Sequence, residues 1–266
     1  MPERYVEVPE RYVDVPERYV DVMDVALRRR TKVVFGLFPA AITAAAVYIA
    51  PVPAAGAGAL TASSVIRSAA SAIARQPSAH VVFIAHSGAR TERIVADVGR
   101  DRGTETAVEG SAVLAVRLSP THAYVSGNSS GLTELFGMSA TDAAKVGKDW
   151  ESWKSGTSQY ANLKTDVTMS SVGALLPKAR RTSLATVVVA GATSYVLKWT
   201  IAATSSIPQV ENSLTVSGAA TDLPVKEVAL VSTGSRATTT LSGWGEHITI
   251  VVPPGDTTIT SGKVAG

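Results

Sequence analysis

Leu132-Thr133-Glu134-Leu135-Phe136-Gly137-Met138 opens the stretch whose reading decides the fold. Leu132, Leu135 and Phe136 recur at helical spacing, and Met169, Val172, Leu175 and Leu176 repeat that spacing before Pro177 stops the run. Leu132 to Leu176 therefore reads as a helical insert. On either side, Ala79–Ser126 and Thr182–Val252 read as strand after strand, punctuated by Gly, Pro, Asn and Asp. Links this short join antiparallel neighbours, because a parallel return needs a dozen or more residues. The expected class is α+β: a curved antiparallel β-sheet with short apolar helices laid on one face.

The strands can be placed from alternation and turn chemistry. Ala79–His86 is apolar enough to be covered on both faces. Glu92–Val98, Glu105–Glu109, Ser111–Leu118 and Thr121–Ser126 follow, with turns at Ser87-Gly88, Asp101-Arg102-Gly103 and Glu109-Gly110. After Pro177 come Thr182–Val189, Ser194–Ile201, Asn212–Ser217, Val225–Ser232, Arg236–Ser242 and His247–Val252. Tyr195, Leu197, Trp199 and Ile201 alternate with smaller or polar residues, as one buried face requires. Ahead of the strands, Thr61–Gln76 is predicted helical, with Val65, Ala69, Ala72 and Ile73 on one face. Ser63 or Ser64 is placed as its cap, and Pro77 closes it. Inside the insert, Ser139–Val146 is a second helical run with a capping arrangement at Ser139 and Asp142. Trp150 and Trp153 are expected to pack at the sheet edge with their indole N–H in water. A carbohydrate or lipid-headgroup contact is the sharper reading of the same amphipathic rings.

The first 59 residues read differently from the rest. Residues 1–22 hold three copies of a seven-residue unit, Pro2–Val8, Pro9–Val15 and Pro16–Val22. Proline at each start costs a helix about 3 kcal/mol, so the period is not a coiled coil, and a disordered segment is expected. Met23 follows directly and competes with Met1 as the start. Residues 23–59 carry Arg28, Arg29, Arg30 and Lys32, then 18 uncharged residues from Val33 to Ala50, then a small-residue run through Ala57-Gly58-Ala59. That order is a secretory signal peptide; an uncleaved signal anchor, touching the membrane through the same apolar segment, is the alternative. Either way residues 60–266 face outward, in the cell envelope or secreted. Residues 60–254 are expected to form the folded domain and 255–266 a flexible tail.

Charge and cysteine content narrow the function. Residues 60–266 carry 18 Lys and Arg against 15 Asp and Glu, dispersed without a basic block, so nucleic acid is not an expected partner. Cysteine is absent, which excludes thiol chemistry and cysteinyl zinc. His80, His86, His122 and His247 have no metal-site spacing. His80 and His86 are six apart in one strand and thus about 20 Å from one another. No metal or other cofactor is expected. Gly127-Asn128-Ser129-Ser130-Gly131 matches the nucleophile-elbow pattern, with Asp222 and His247 following in hydrolase order. That fold needs parallel strands with helical crossovers, and Ser129 or Ser130 serves equally as a helix cap. A serine hydrolase acting through Ser129 is therefore the minor alternative, and the chain is read as a non-enzyme with no catalytic residues.

With these residues in place, the chain from about Ala62 to Pro254 resembles the actinobacterial LppX/LprAFG envelope lipoproteins, which have a LolA-like fold. The resemblance lies in Ala123-Tyr124-Val125-Ser126-Gly127 followed by Gly131-Leu132-Thr133-Glu134-Leu135-Phe136-Gly137, then Trp150 and Trp153, Tyr160, Leu175-Leu176-Pro177 and Leu223-Pro224-Val225. Gly243-Trp244-Gly245 and Val252-Pro253-Pro254 complete it. It implies a half-barrel whose helices pack on the concave face and whose apolar cavity holds the acyl chains of a lipid, glycolipid or lipoglycan. An envelope transport protein is the implied protein partner, and a monomer is expected. The chain departs from the family in lacking the lipid-anchoring cysteine. The cavity candidates are Leu132, Leu135 and Phe136, then Val172, Leu175 and Leu176 from the helices, facing Leu114, Val116, Tyr124, Val187 and Val189 from the strands. The rival reading is an interaction module whose half-barrel has closed on a solid core.

Overall fold

The computed structural model describes residues 60–178, 181–189, 191–204, 208–218, 221–255 and 258–260. The readings for residues 1–59 lie outside them. Helix α1 spans Ala62–Arg75 and buries Val65, Ala69, Ala72 and Ile73, the face expected from spacing. Its cap is Thr61 rather than Ser63 or Ser64. Thr61 Oγ1 accepts from the Ser64 N–H at 3.1 Å while Ser64 Oγ accepts from the Thr61 N–H at 3.0 Å, a reciprocal capping box.

Five strands follow through short links: β1 (Ser78–Ser87), β2 (Arg90–Gly99), β3 (Gly103–Glu109), β4 (Ala112–Leu118) and β5 (His122–Gly127). Gly88 and Gly110 turn the chain at φ of +57° each, where L side chains are strained. The insert then supplies a π-helical turn (Gly131–Leu135), α2 (Ala140–Val146), strand β6 (Trp150–Lys154), α3 (Ser158–Asp166) and α4 (Met169–Gly173). The return half comprises β7 (Ser183–Val189), β8 (Ala192–Ile201), β9 (Val210–Ser217), β10 (Pro224–Val231) and β11 (Arg236–Ser242), with β12 (Thr258–Thr260) last.

All twelve strands form one sheet in the order β12-β6-β5-β4-β3-β2-β1-β11-β10-β9-β8-β7. Every neighbour is antiparallel except β12, which lies parallel to β6. The sheet is curved and does not close, so it is the expected α+β half-barrel with helices on its concave face. Side chains alternate across it, and the helix-covered inner face holds three apolar clusters. One joins Leu114, Val116 and Val125 to Leu132, Val146, Trp153 and Leu163. A second joins Ala79, Val98 and Leu241 to Ile73, Val172 and Leu175. The third joins Leu197, Leu214 and Val216 to Val65 and Ala69.

Four expectations are corrected. The insert is not purely helical, because Trp150–Lys154 pairs with β5 as a strand. Trp153 is thereby buried at 5% exposure in the first cluster, its ring 5.6 Å from that of Phe136, and not left at a wet edge. His247–Val252 is not a strand. That segment leaves β11 and passes the ends of β2 and β4, where Arg117 Nη1 donates to the Val251 carbonyl at 2.7 Å. It carries the chain toward β12, so residues 258–260 of the expected loose tail belong to the sheet.

Candidate functional site

Strand register carries rows of side chains straight across the inner face. One row runs Leu197, Leu214, Glu227, Thr239, Phe83, Ile94, Ala107, Leu114 through eight consecutive strands. At about 4.8 Å per strand it is roughly 34 Å long, comparable with an extended acyl chain. Its two ends belong to different clusters, with Leu197 and Leu214 in the third and Ala107 and Leu114 in the first. Half-buried Phe83 lies between them, beside Thr239 and Glu227, whose side chains are hydrogen-bonded at 3.3 Å. The next row runs Asn212, Ala229, Ala237, Ala85, Glu92, Glu109, with a floor of three alanines between polar ends. The inner face is thus apolar toward both ends of the first row, with polar side chains at Glu227 and Thr239 within it and at the ends of the second row.

The insert candidates lie on this face: Leu132 and Leu135 in the π-helical turn, Phe136 just after it, Val172 in α4, and Leu175 and Leu176 in the turn that follows α4, where the expected helix has already ended. Leu132, Val172 and Leu175 are buried at 0%, 1% and 4% exposure, and Leu135 and Phe136 are half-buried against the first cluster. Leu176 is half-buried and touches both the second and third clusters, bridging them. Leu114 and Val116 face these helices from β4.

Three strand candidates point the other way. Tyr124 pairs with Arg117 and stacks on His122 at 5.9 Å, on the outer face, while its neighbours Ala123 and Val125 turn inward. Burial there raises the pKa of its phenol. Val187 and Val189 pair with Ser194 and Ala192, alternating with Leu184, which is the residue of β7 that reaches the third cluster. Val189 is 54% exposed. In their place the structure brings Phe83, Ile94, Leu197, Trp199 and Leu214 to the inner face. The alternation of Tyr195, Leu197, Trp199 and Ile201 was the available signal for the β8 members.

Trp150 stays on the outer face, with the Arg117 guanidinium 4.4 Å from its ring centre. Two open hollows lie away from the helices. One, of ≈ 620 Å³, is lined by Lys198, Thr200, Glu211, Ser213 and Val228. The other, of ≈ 350 Å³, lies at the strand ends among Ser78, Arg100, Arg102, Glu246 and His247.

Ser129, Asp222 and His247 are not assembled. Ser129 is exposed, Asp222 accepts from Ser68, and His247 Nδ1 lies 3.4 Å from Thr249 Oγ1. Asn128 explains the motif instead. Its Oδ1 accepts from the N–H groups of Val113 and Gly131 at 3.1 and 2.8 Å, and its Nδ2 donates to the Ser111 carbonyl at 2.6 Å. Gly131 follows because a Cβ there would sit 1.9 Å from the Val113 carbonyl oxygen. The glycine–asparagine pattern clamps β5 to the β3–β4 turn. Among the described residues no three His, Asp or Glu side chains are grouped as metal ligands.

No family model and no curated protein matches the chain. Among solved structures it is similar to the lipoprotein LppX of Mycobacterium tuberculosis, at 14% identity and a TM-score of 0.43, over 71% of this chain and 98% of that one. It is also similar to MucB in a complex with the periplasmic part of MucA, at 19% identity and a TM-score of 0.30. That match covers 68% of this chain and 55% of MucB. The fold class itself rests on the strand order given above.

Proposed function

We propose that this chain is an exported carrier of the bacterial envelope, related to the LppX/LprAFG lipoproteins, that holds the acyl chains of a lipid or glycolipid between sheet and helices. The observation that carries this reading is the seam between apolar clusters. Along the row from Leu197 to Leu114 both ends are apolar, the hydrogen-bonded Glu227–Thr239 pair lies between Leu214 and Phe83, and the core is divided into separate clusters, with half-buried Phe83 between two of them. An acyl chain lying along that row would join the clusters, each buried methylene contributing about 0.8 kcal/mol. Leu135, Phe136 and Leu176, half-buried at the C-terminal end of the π-helical turn and just beyond α4, would close over it. Export rests on the basic, apolar and small-residue order of residues 28–59. A protein that loads or unloads the lipid is part of the same reading.

The second reading, a closed interaction module, is favoured by the near-complete burial of Leu132, Val172 and Leu175 and by the position of the two hollows outside the helix-covered face. Native mass spectrometry of the exported protein, recovered from an actinobacterial host, separates the two. An adduct of acylated-lipid mass, lost on organic extraction, is the expected result. A clean protein mass from that host sinks the carrier and leaves the module.

A further inference from the structure

The two edges of the sheet are treated differently. At one, the C-terminal segment lays β12 along β6. At the other, β7 pairs with β8 through all seven residues without a bulge, and among the described residues nothing pairs with its far side. Bare edges are ordinarily protected by lysine, proline, a bulge or a covering segment. Among the described residues β7 has none of these. From Thr182 to Leu197 the chain has no Asp, Glu, Lys, Arg or Pro, in a protein with 47 charged residues. Val188 and Val189 are 61% and 54% exposed there.

We propose that β7 is a self-association edge, and that its occupant is the β7 of a second copy of this chain, antiparallel about a two-fold axis at Thr186. Centring on Thr186 pairs all seven residues, from Ser183 against the partner's Val189 to Val189 against the partner's Ser183. Residues of one parity meet residues of the same parity, so inner faces stay on one side. Leu184 lies against the partner's Val188, continuing the third cluster's apolar edge, and Thr186 lies against the partner's Thr186, a favourable cross-strand pair. Arg181, the basic residue next to the strand, falls opposite the partner's Gly191 and not opposite a second cation. A different protein's strand would meet no charge pattern to select it, since β7 offers none. The copy instead offers matched length, parity and neutrality. Seven pairs make an interface well under the standard ~1,600 Å², so the dimer is weak and concentration-dependent.

The absence of native cysteine makes a direct test available in the full chain. Thr186 is exposed, so Thr186→Cys leaves the fold intact. On the axis its Cα lies about 4.5–5.5 Å from its mate, within disulfide reach. Under mild oxidation Thr186→Cys gives a covalent homodimer whose yield rises with protein concentration. Val188→Cys alone does not, because its own copy lies about 14 Å away along the strand, but mixed with Leu184→Cys it does. Lys154→Cys, on the covered edge, sets the background. A Thr186→Cys yield no higher than that background overturns the proposal, as does a cross-link of Thr186→Cys to a different protein.

Discussion

Ser68 on α1 donates a hydrogen bond at 2.5 Å to Asp222 Oδ2, in the β9–β10 loop 154 positions further along the chain. Asp222 takes a left-handed backbone, at φ of +51°, which costs an L residue about 1–2 kcal/mol. The bond offsets that cost and places Leu223, the next residue, in the cluster shared with Ala72 and Ile73 of α1. Asp222→Ala is expected to lose about 1–2 kcal/mol of stability in denaturant titration. Asp222→Gly should lose less, because glycine removes the backbone cost. An unchanged midpoint for Asp222→Ala would show that the tie contributes nothing.

The Gly127–Gly131 stretch makes a second contrast. Gly131→Ala pushes a methyl into the Val113 carbonyl, a backbone atom that cannot swing aside, and should cost about 2–3 kcal/mol. Ser129→Ala, at an exposed position, should stay within about 0.5 kcal/mol of the parent. A fluorophosphonate probe should leave the folded protein unlabelled. Labelling lost in Ser129→Ala would restore the hydrolase.

Glu151 faces inward from β6, opposite Val125 of the first cluster, and is 7% exposed. Burial first, and the nearby charge of Asp142 second, push its carboxyl above the usual carboxylate range. A carboxyl whose folded pKa is raised contributes stability that is complete below the unfolded value of about 4.3 and is lost as pH rises through the folded one. Glu151→Gln keeps the shape and removes the charge. Its melting temperature should exceed the parent's at pH 7, with the difference shrinking as pH falls to 4. Equal melting temperatures at pH 7 would place the Glu151 carboxylate in water.

These cases also mark where the sequence was legible. α1 was readable to its buried face because Val65, Ala69, Ala72 and Ile73 recur at helical spacing between the Thr61 cap and Pro77. β1 to β5 were readable because Gly and Asp mark their turns. β6 was missed because an inward glutamate, Glu151, breaks the pattern that inward Trp153 would otherwise have shown. α3 was missed because only Tyr160 and Leu163 of its nine residues are buried. The sidedness of Val187, Val188 and Val189 could not be read at all. An all-valine run has no alternation, and a one-residue error in phase moves every side chain to the other face. Ala123-Tyr124-Val125 hides its phase in the same way. The helical candidates escaped this problem, since helical spacing identifies a face without a phase.

That distinction between faces gives the sharpest test of lipid carriage. Leu135 and Leu176 are inward and half-buried, so aspartate at either can reach solvent and the fold should persist. Each substitution removes apolar contact from the row that an acyl chain would follow, and a loss of about 1.4 kcal/mol is a tenfold weaker complex. Leu135→Asp and Leu176→Asp should therefore recover from the host with at least about tenfold less bound lipid. Val189→Asp, outward and exposed, should carry as much lipid as the parent. Leu132→Asp is uninformative by comparison, because Leu132 is fully buried and its loss would unfold the first cluster. If folded Leu135→Asp and Leu176→Asp retain the parent's lipid content, the acyl chains do not lie beneath the helices. If Val189→Asp alone loses lipid, the ligand occupies the outer face and the carrier reading is wrong about which side of the sheet does the work.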